Sequence, residues 1–132
     1  MIRDLCKDMC FNRIYNWNNI PNEMLLNVSS SLGINDDKLV LFYDSSVLET
    51  GRTGLAISDD GVHWKDISSP PGHLNWEEFM DIDINHDDHY IYFGDQEGVF
   101  VFHRDVELLL ELLATIKQSK KESYRDEGII KS

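Results

Sequence analysis

The hydrophobic period of this chain changes twice, and the two changes set the order of its elements. Before Gly33 apolar residues recur at helical spacing. From Lys38 to His103 they alternate or run together between turn signals, and after Asp105 the helical spacing returns. In the first stretch Ile2, Leu5, Cys6 and Met9 share a face and predict a short amphipathic helix. The break Asn18-Asn19-Ile20-Pro21-Asn22 follows, in which Pro21 disfavours helix at Ile20 and suits the start of the next one. From Asn22 the stripe of Met24, Leu25, Val28 and Leu32 predicts a second helix, stopped by Gly33.

The middle reads as a meander. Residues 38–43 (KLVLFY) predict an apolar strand and residues 44–51 a polar loop. Residues 53–58 and 62–65 flank Asp59-Asp60-Gly61, a tight-turn signal, and predict a hairpin. Ser68-Ser69-Pro70-Pro71-Gly72 excludes regular structure. Residues 74–78 predict a short strand. Residues 79–84 predict another, with Met80, Ile82 and Ile84 inward and Asp81 and Asp83 outward. Two more strands, 89–93 and 99–103, follow turns at 85–88 and 94–98. Asp105 is placed to cap a last helix, with Glu107 in its first turn. Val106, Leu109, Leu110, Leu113 and Ile116 form its apolar stripe, and Lys117, Lys120 and Lys121 suit its end.

The expected fold is α+β: a curved antiparallel sheet or half-barrel of six to seven strands, with N-terminal helices and a closing amphipathic helix. The expected layout is one domain over residues 1–122: a helical segment 1–33, the meander 38–103 and the helix 105–121. Residues 123–132 are expected to be a flexible tail. The run Leu41-Phe42-Tyr43-Asp44-Ser45-Ser46-Val47 and the run Gly51-Arg52-Thr53-Gly54-Leu55-Ala56-Ile57-Ser58-Asp59-Asp60-Gly61-Val62-His63-Trp64-Lys65 carry a family likeness. They place a strand ending in an acidic residue before a Gly-basic-x-Gly step, a strand, an Asp-Gly turn and an aromatic. With Pro70-Pro71-Gly72, Trp76-Glu77-Glu78-Phe79 and the final helix, this resembles a bacterial pleckstrin-homology-like (PH-like) domain from about Glu23 to about Gln118. The resemblance implies a binding platform and transfers no catalytic residues.

Charge narrows the partner. The formal net charge is -12. Between Asn35 and Asp105 the only basic residues are Lys38, Arg52, Lys65 and Arg104, set among many carboxylates. Such a body repels nucleic acid and anionic lipid and attracts a basic protein. The first residues hold no apolar h-region, and no apolar run approaches the roughly 20 residues of a spanning helix, so the expected compartment is the cytoplasm. Cys6 and Cys10, four apart, read as free thiols; bridging them would close a loop too short to stabilise anything.

Motifs for chemistry fail on spacing. Asp81 to Asp88 has the acidic spacing of a calcium loop, but His86 and Tyr92 stand where Gly and Glu are required. His86 and His89 offer two zinc ligands at most, and read better as exposed turn histidines. Glu77 and Glu78 beside Asp81 and Asp83 read as a solvated acidic face, not an acid–base pair. Gly51-Arg52-Thr53-Gly54 lacks the Lys-Ser/Thr of a phosphate loop. The expectation is a non-enzyme with no cofactor and no metal.

Small, acidic, stand-alone bacterial domains look like immunity proteins, which neutralise a cognate toxin by covering it, as in contact-dependent growth inhibition. Such toxins are often basic nucleases, and carboxylates around an aromatic anchor suit them. The predicted partner-binding residues are Trp76, Glu77, Glu78, Asp81 and Asp83, with Asp59, Asp60, Asp87 and Asp88 as further members. The alternative is a PH-like adaptor that binds a peptide or another protein partner.

Overall fold

A computed structural model describes Arg3, Cys6, residues 13–67 and residues 69–126 of the chain. The first predicted helix lies largely outside the described residues, as does Cys10. Cys6 is fully buried, and burial pushes its thiol up to about 11.

The expected apolar strand is the middle of the molecule. β2 (Leu39–Asp44) buries all six of its residues. It pairs antiparallel with β1 (Ile14–Asn16) and with β3 (Gly54–Ser58). β3 turns at Asp59-Asp60 into β4 (Gly61–Lys65), which pairs with β5 (Gly72–Asn75). The five strands lie side by side in chain order. Gly61 is required at the turn: its φ is 156°, and a Cβ there would sit 2.0 Å from the Leu74 carbonyl oxygen.

A register shift between Leu39 and Leu41 breaks the alternation of β2. Leu39 and Phe42 therefore face one side of the sheet, and Val40, Leu41 and Tyr43 the other. The first side is covered by α1 (Asn22–Leu32), which starts after Pro21 and ends at Gly33, in the left-handed region at φ 73°. Its buried residues Met24, Val28 and Leu32 pack with Ile20, Ile34, Phe42 and Ala56.

The second side holds the main core. Here α2 (Trp76–Asp81), β7 (Tyr90–Phe93), β8 (Val99–Phe100) and α3 (Val106–Asp126) contribute Phe79, Ile91, Phe93, Val99, Leu109, Leu113 and Ile116, none of them with measurable exposure, and β6 (Ile84–His86) sets the partly buried Ile84 against them. Burying each such side chain contributes about 1.5–3 kcal/mol. β6, β7 and β8 form a separate three-stranded antiparallel sheet. Polar bonds join it to the larger one. The Trp64 indole N–H donates to the Glu97 carbonyl at 3.1 Å, and the Phe100 N–H to the Asp66 carboxylate at 3.2 Å. The Tyr43 hydroxyl donates to Asp105 at 2.7 Å and accepts from the Phe102 N–H at 3.1 Å.

The class is α+β, as expected, with a C-terminal helix; in place of one curved sheet of six to seven strands stand two antiparallel sheets of five and three strands, which do not form a closed barrel. Three local expectations change. Residues 14–16, placed in a helical segment, are an edge strand held by Tyr43, Phe42 and Leu41. Residues 76–78 and 79–81, expected at the end of one strand and the start of the next, together form α2 instead. Asn75 caps that helix: its side chain accepts from the Glu78 N–H while Glu78 accepts from the Asn75 N–H, each at 2.9 Å. The last helix runs to Asp126, four residues into the expected tail; residues 127–132 lie outside the described residues. Asp105 precedes this helix, but its carboxylate is turned to Tyr43 in the core. Among the described residues no helix is long and apolar enough to cross a membrane.

Candidate functional site

The predicted acidic surface divides into three places. The first is α2. Helical spacing turns Trp76, Phe79 and Met80 inward together and leaves Glu77, Glu78 and Asp81 outside. Trp76 is only 5% exposed, so it is a core residue and not an exposed anchor. Its indole N–H donates to the Asp59 carbonyl at 2.9 Å, and the Lys120 ammonium covers its ring at 4.7 Å. Glu78 is occupied by the cap. Lys117 bonds the Ile82 carbonyl and stands near Asp83 and Asp81. Burial, and then the neighbouring Lys121, holds this ammonium below its ordinary value. The carboxylates of this patch thus share their surroundings with the lysines of α3.

The second place is the β3–β4 turn. Asp59 pairs with Arg3 at 3.2 Å and Asp60 with Lys38 at 3.0 Å. The hydrogen bond that Lys38 donates to Asp60 raises its ammonium above its usual value. Both carboxylates are therefore engaged within the chain.

The third is the β6–β7 turn. One Asp87 oxygen accepts the His89 and Tyr90 N–H groups at 2.9 and 2.8 Å, and the other accepts the Tyr92 hydroxyl at 2.8 Å. These bonds, the His89 N–H first, hold the Asp87 carboxyl below its ordinary range. Asp87, Asp88, His86, His103, Arg104 and Glu107 line an open groove. Among the described residues no three His, Cys, Asp or Glu side chains are arranged to hold a metal ion. The structure brings part of the predicted set together: α2 adjoins the Asp59-Asp60 turn through the Trp76–Asp59 bond and the Gly61–Asn75 pairing, while Asp87 and Asp88 lie on the β6–β7 turn of the other sheet.

Several polar residues escaped the sequence reading. Ser58 Oγ lies 2.8 Å from His63 Nε2, a nucleophile–base distance, but the two are 1% and 7% exposed. Ser58 Oγ also accepts the Asp60 N–H, so the pair braces a turn. Burial, then the stacked His73 ring 4.4 Å away, lowers the His63 imidazole to about 4. Asp44 is fully buried: one oxygen accepts the Ser46 N–H and hydroxyl, and the other has no hydrogen-bond partner among the described residues. Asp66 is also buried, and accepts the Tyr90 hydroxyl at 3.4 Å besides the Phe100 N–H. Its charge raises the Tyr90 phenol above its usual value.

The outward face of the small sheet was missed altogether. Tyr90, Tyr92, Phe100 and Phe102 are each half-buried there, with His89 exposed beside them. In the sequence they are hidden because the inward neighbours Ile91, Phe93, Val99 and Val101 are apolar too, so no polar–apolar alternation marks the face. No family model, no curated protein and no solved structure matches this chain.

Proposed function

We propose that this chain is a non-catalytic acidic binding protein that neutralises a basic protein partner by direct contact, as a bacterial immunity protein neutralises its toxin. The observation that carries this reading is how few carboxylates of the described residues stand in ion pairs. The sequence holds 24 Asp and Glu against 12 Lys and Arg. Among the described residues only Asp59, Asp60 and Asp105 stand in ion pairs. Unanswered surface carboxylates raise the self-repulsion of the folded state and speed encounter with a basic surface, toward ~10⁸ M⁻¹s⁻¹ when steering is strong.

The PH-like layout belongs to the same reading. Sheet strands followed by a closing amphipathic helix give a rigid platform, and a platform without a catalytic constellation acts by covering its target. A cytoplasmic site of action fits a protein that must meet its target after entry into the cell.

The test is affinity capture from the native host at low and at high salt. Recovery of a basic polypeptide, weakened as salt rises, is the expected result. Recovery of phospholipid, or of a signalling protein held equally well at both salts, would replace this reading with the adaptor.

A further inference from the structure

On the outer face of β7 and the segment from Phe100 to Phe102, the outward positions are all aromatic. Tyr90, Tyr92, Phe100 and Phe102 alternate with the buried Ile91, Phe93, Val99 and Val101. An antiparallel sheet with one face toward water ordinarily carries polar residues at such positions. The rings touch in series. Tyr92 and Tyr90 stack with centroids 5.9 Å apart; Tyr90 meets Phe100 edge-on at 6.0 Å, and Phe100 meets Phe102 at 5.2 Å. His89 lies parallel to Phe100 at 5.9 Å. Gly98 keeps the strip open at its far end, since a Cβ there would stand 2.6 Å from Tyr92 Cδ1.

Two observations say what such a strip accepts. First, its phenols end on carboxylates: Tyr92 on Asp87 and Tyr90 on Asp66. Neither carboxylate is in an ion pair among the described residues. The nearby Lys65 ammonium is bonded to the Asp66 main-chain carbonyl. Second, one end of the strip already holds a guanidinium. Arg13 lies 4.2 Å from the Phe102 ring centroid while donating to the Ser46 carbonyl at 2.7 Å. The chain thus fills one aromatic face with its own arginine and leaves Phe100, Tyr90 and Tyr92 half-open.

We infer that the β7–β8 face docks an arginine- or lysine-bearing segment of a protein partner, with its cationic side chains laid on Phe100, Tyr90 and Tyr92 and Asp66 and Asp87 supplying the opposing charge. A cation over an aromatic face is attracted by the ring quadrupole, and guanidinium adds stacking. Nucleotide bases also stack on aromatic sheets, but they bring phosphates, which a chain of net charge -12 repels. A second copy brings the same charge. The inference depends on the acidic-binder reading and names its contact surface, in place of α2.

The test uses the full chain and an oligoarginine peptide, with oligoglutamate as the control. Binding is followed by backbone amide shifts and titration at low salt. The expected result is shifts centred on residues 87–92 and 99–102, no response to oligoglutamate, and affinity about tenfold weaker in a Tyr92→Ala/Phe100→Ala variant. If that variant loses its thermal transition, Tyr92→Leu/Phe100→Leu keeps apolar bulk and removes the ring faces, and should weaken binding similarly. Unchanged affinity in the leucine variant would overturn the strip. So would shifts centred on α2, uptake of single-stranded oligonucleotide on the strip, or dimerisation through it. Host capture separates the two claims. If the leucine variant retains a basic partner that Glu77→Gln/Asp81→Asn loses, the acidic-binder reading stands and the strip does not.

Discussion

Strands β2 and β7 are almost equally apolar as written, LVLFYD against YIYF, yet they lie in different surroundings. In β2 all six residues are buried; in β7 burial alternates. The difference lies in the second face of each sheet. α1 sets Met24, Val28 and Leu32 against Phe42 and Leu39, so β2 is covered on both sides. Tyr90 and Tyr92 stay half-exposed, their hydroxyls bonded to carboxylates. An apolar strand can thus be a core element or a presented surface, and the covering helix decides which. The larger sheet is built for stability; the smaller one shares its core and offers its other side.

The sharpest way to break this contrast is to delete one ring from each region. Phe42→Ala empties a site with no exposed surface and should cost about 3–5 kcal/mol. Phe100→Ala on the half-open face should cost about 1 kcal/mol. Urea unfolding with an unchanged m-value measures both. Equal losses would make the aromatic strip part of the core.

Acidification between pH 6.5 and 4 probes the covered region through His63. The native His63 imidazole titrates at about 4 against an ordinary 6.5. Between those values the unfolded chain holds the extra proton, so stability is full above pH 6.5 and falls as pH drops toward 4, by about 3 kcal/mol. Stability measured against pH for the parent and for His63→Gln should show this slope only in the parent. An identical slope in both would place its origin elsewhere.

A smaller effect is expected where the strip meets its turn. A Cβ at residue 98 would lie 2.6 Å from Tyr92 and 2.7 Å from the Ile91 carbonyl oxygen. Backbone as well as ring must shift, so Gly98→Ala should cost about 2 kcal/mol. Near-UV circular dichroism should change in the tyrosine region, and an unaltered spectrum would mean that the turn, not the ring, had moved.

Local signals explain what the sequence made visible. β2, the hairpin at Asp59-Asp60-Gly61 and the stripe of α3 are written in composition, turn chemistry and a long 3.6 period. α2 was obscured because its six residues are too few to separate periods, while Met80, Ile82 and Ile84 imitate a strand. The cap Asn75-Trp76-Glu77-Glu78 was the overlooked sign, and reading it would have turned Trp76 inward. β1 is three residues long and is specified by its partner, Tyr43-Phe42-Leu41, from the far side of a helix. The acidic residues were visible, but their engagement was not: Arg3 with Asp59 and Lys38 with Asp60 are contacts across 56 and 22 residues.

The buried Tyr43 hydroxyl carries a consequence for synthesis. Its acceptor, Asp105, lies 62 residues downstream, and its donor, the Phe102 N–H, 59 residues downstream. While the ribosome is still making the second half, β2 can pair with β1 and β3, but its phenol has no partner and cannot be buried without cost. The large sheet therefore waits for the last helix to emerge before its core can close. A nascent chain exposed only as far as Val101 should remain open to protease, and exposure of the chain through α3 should seal it.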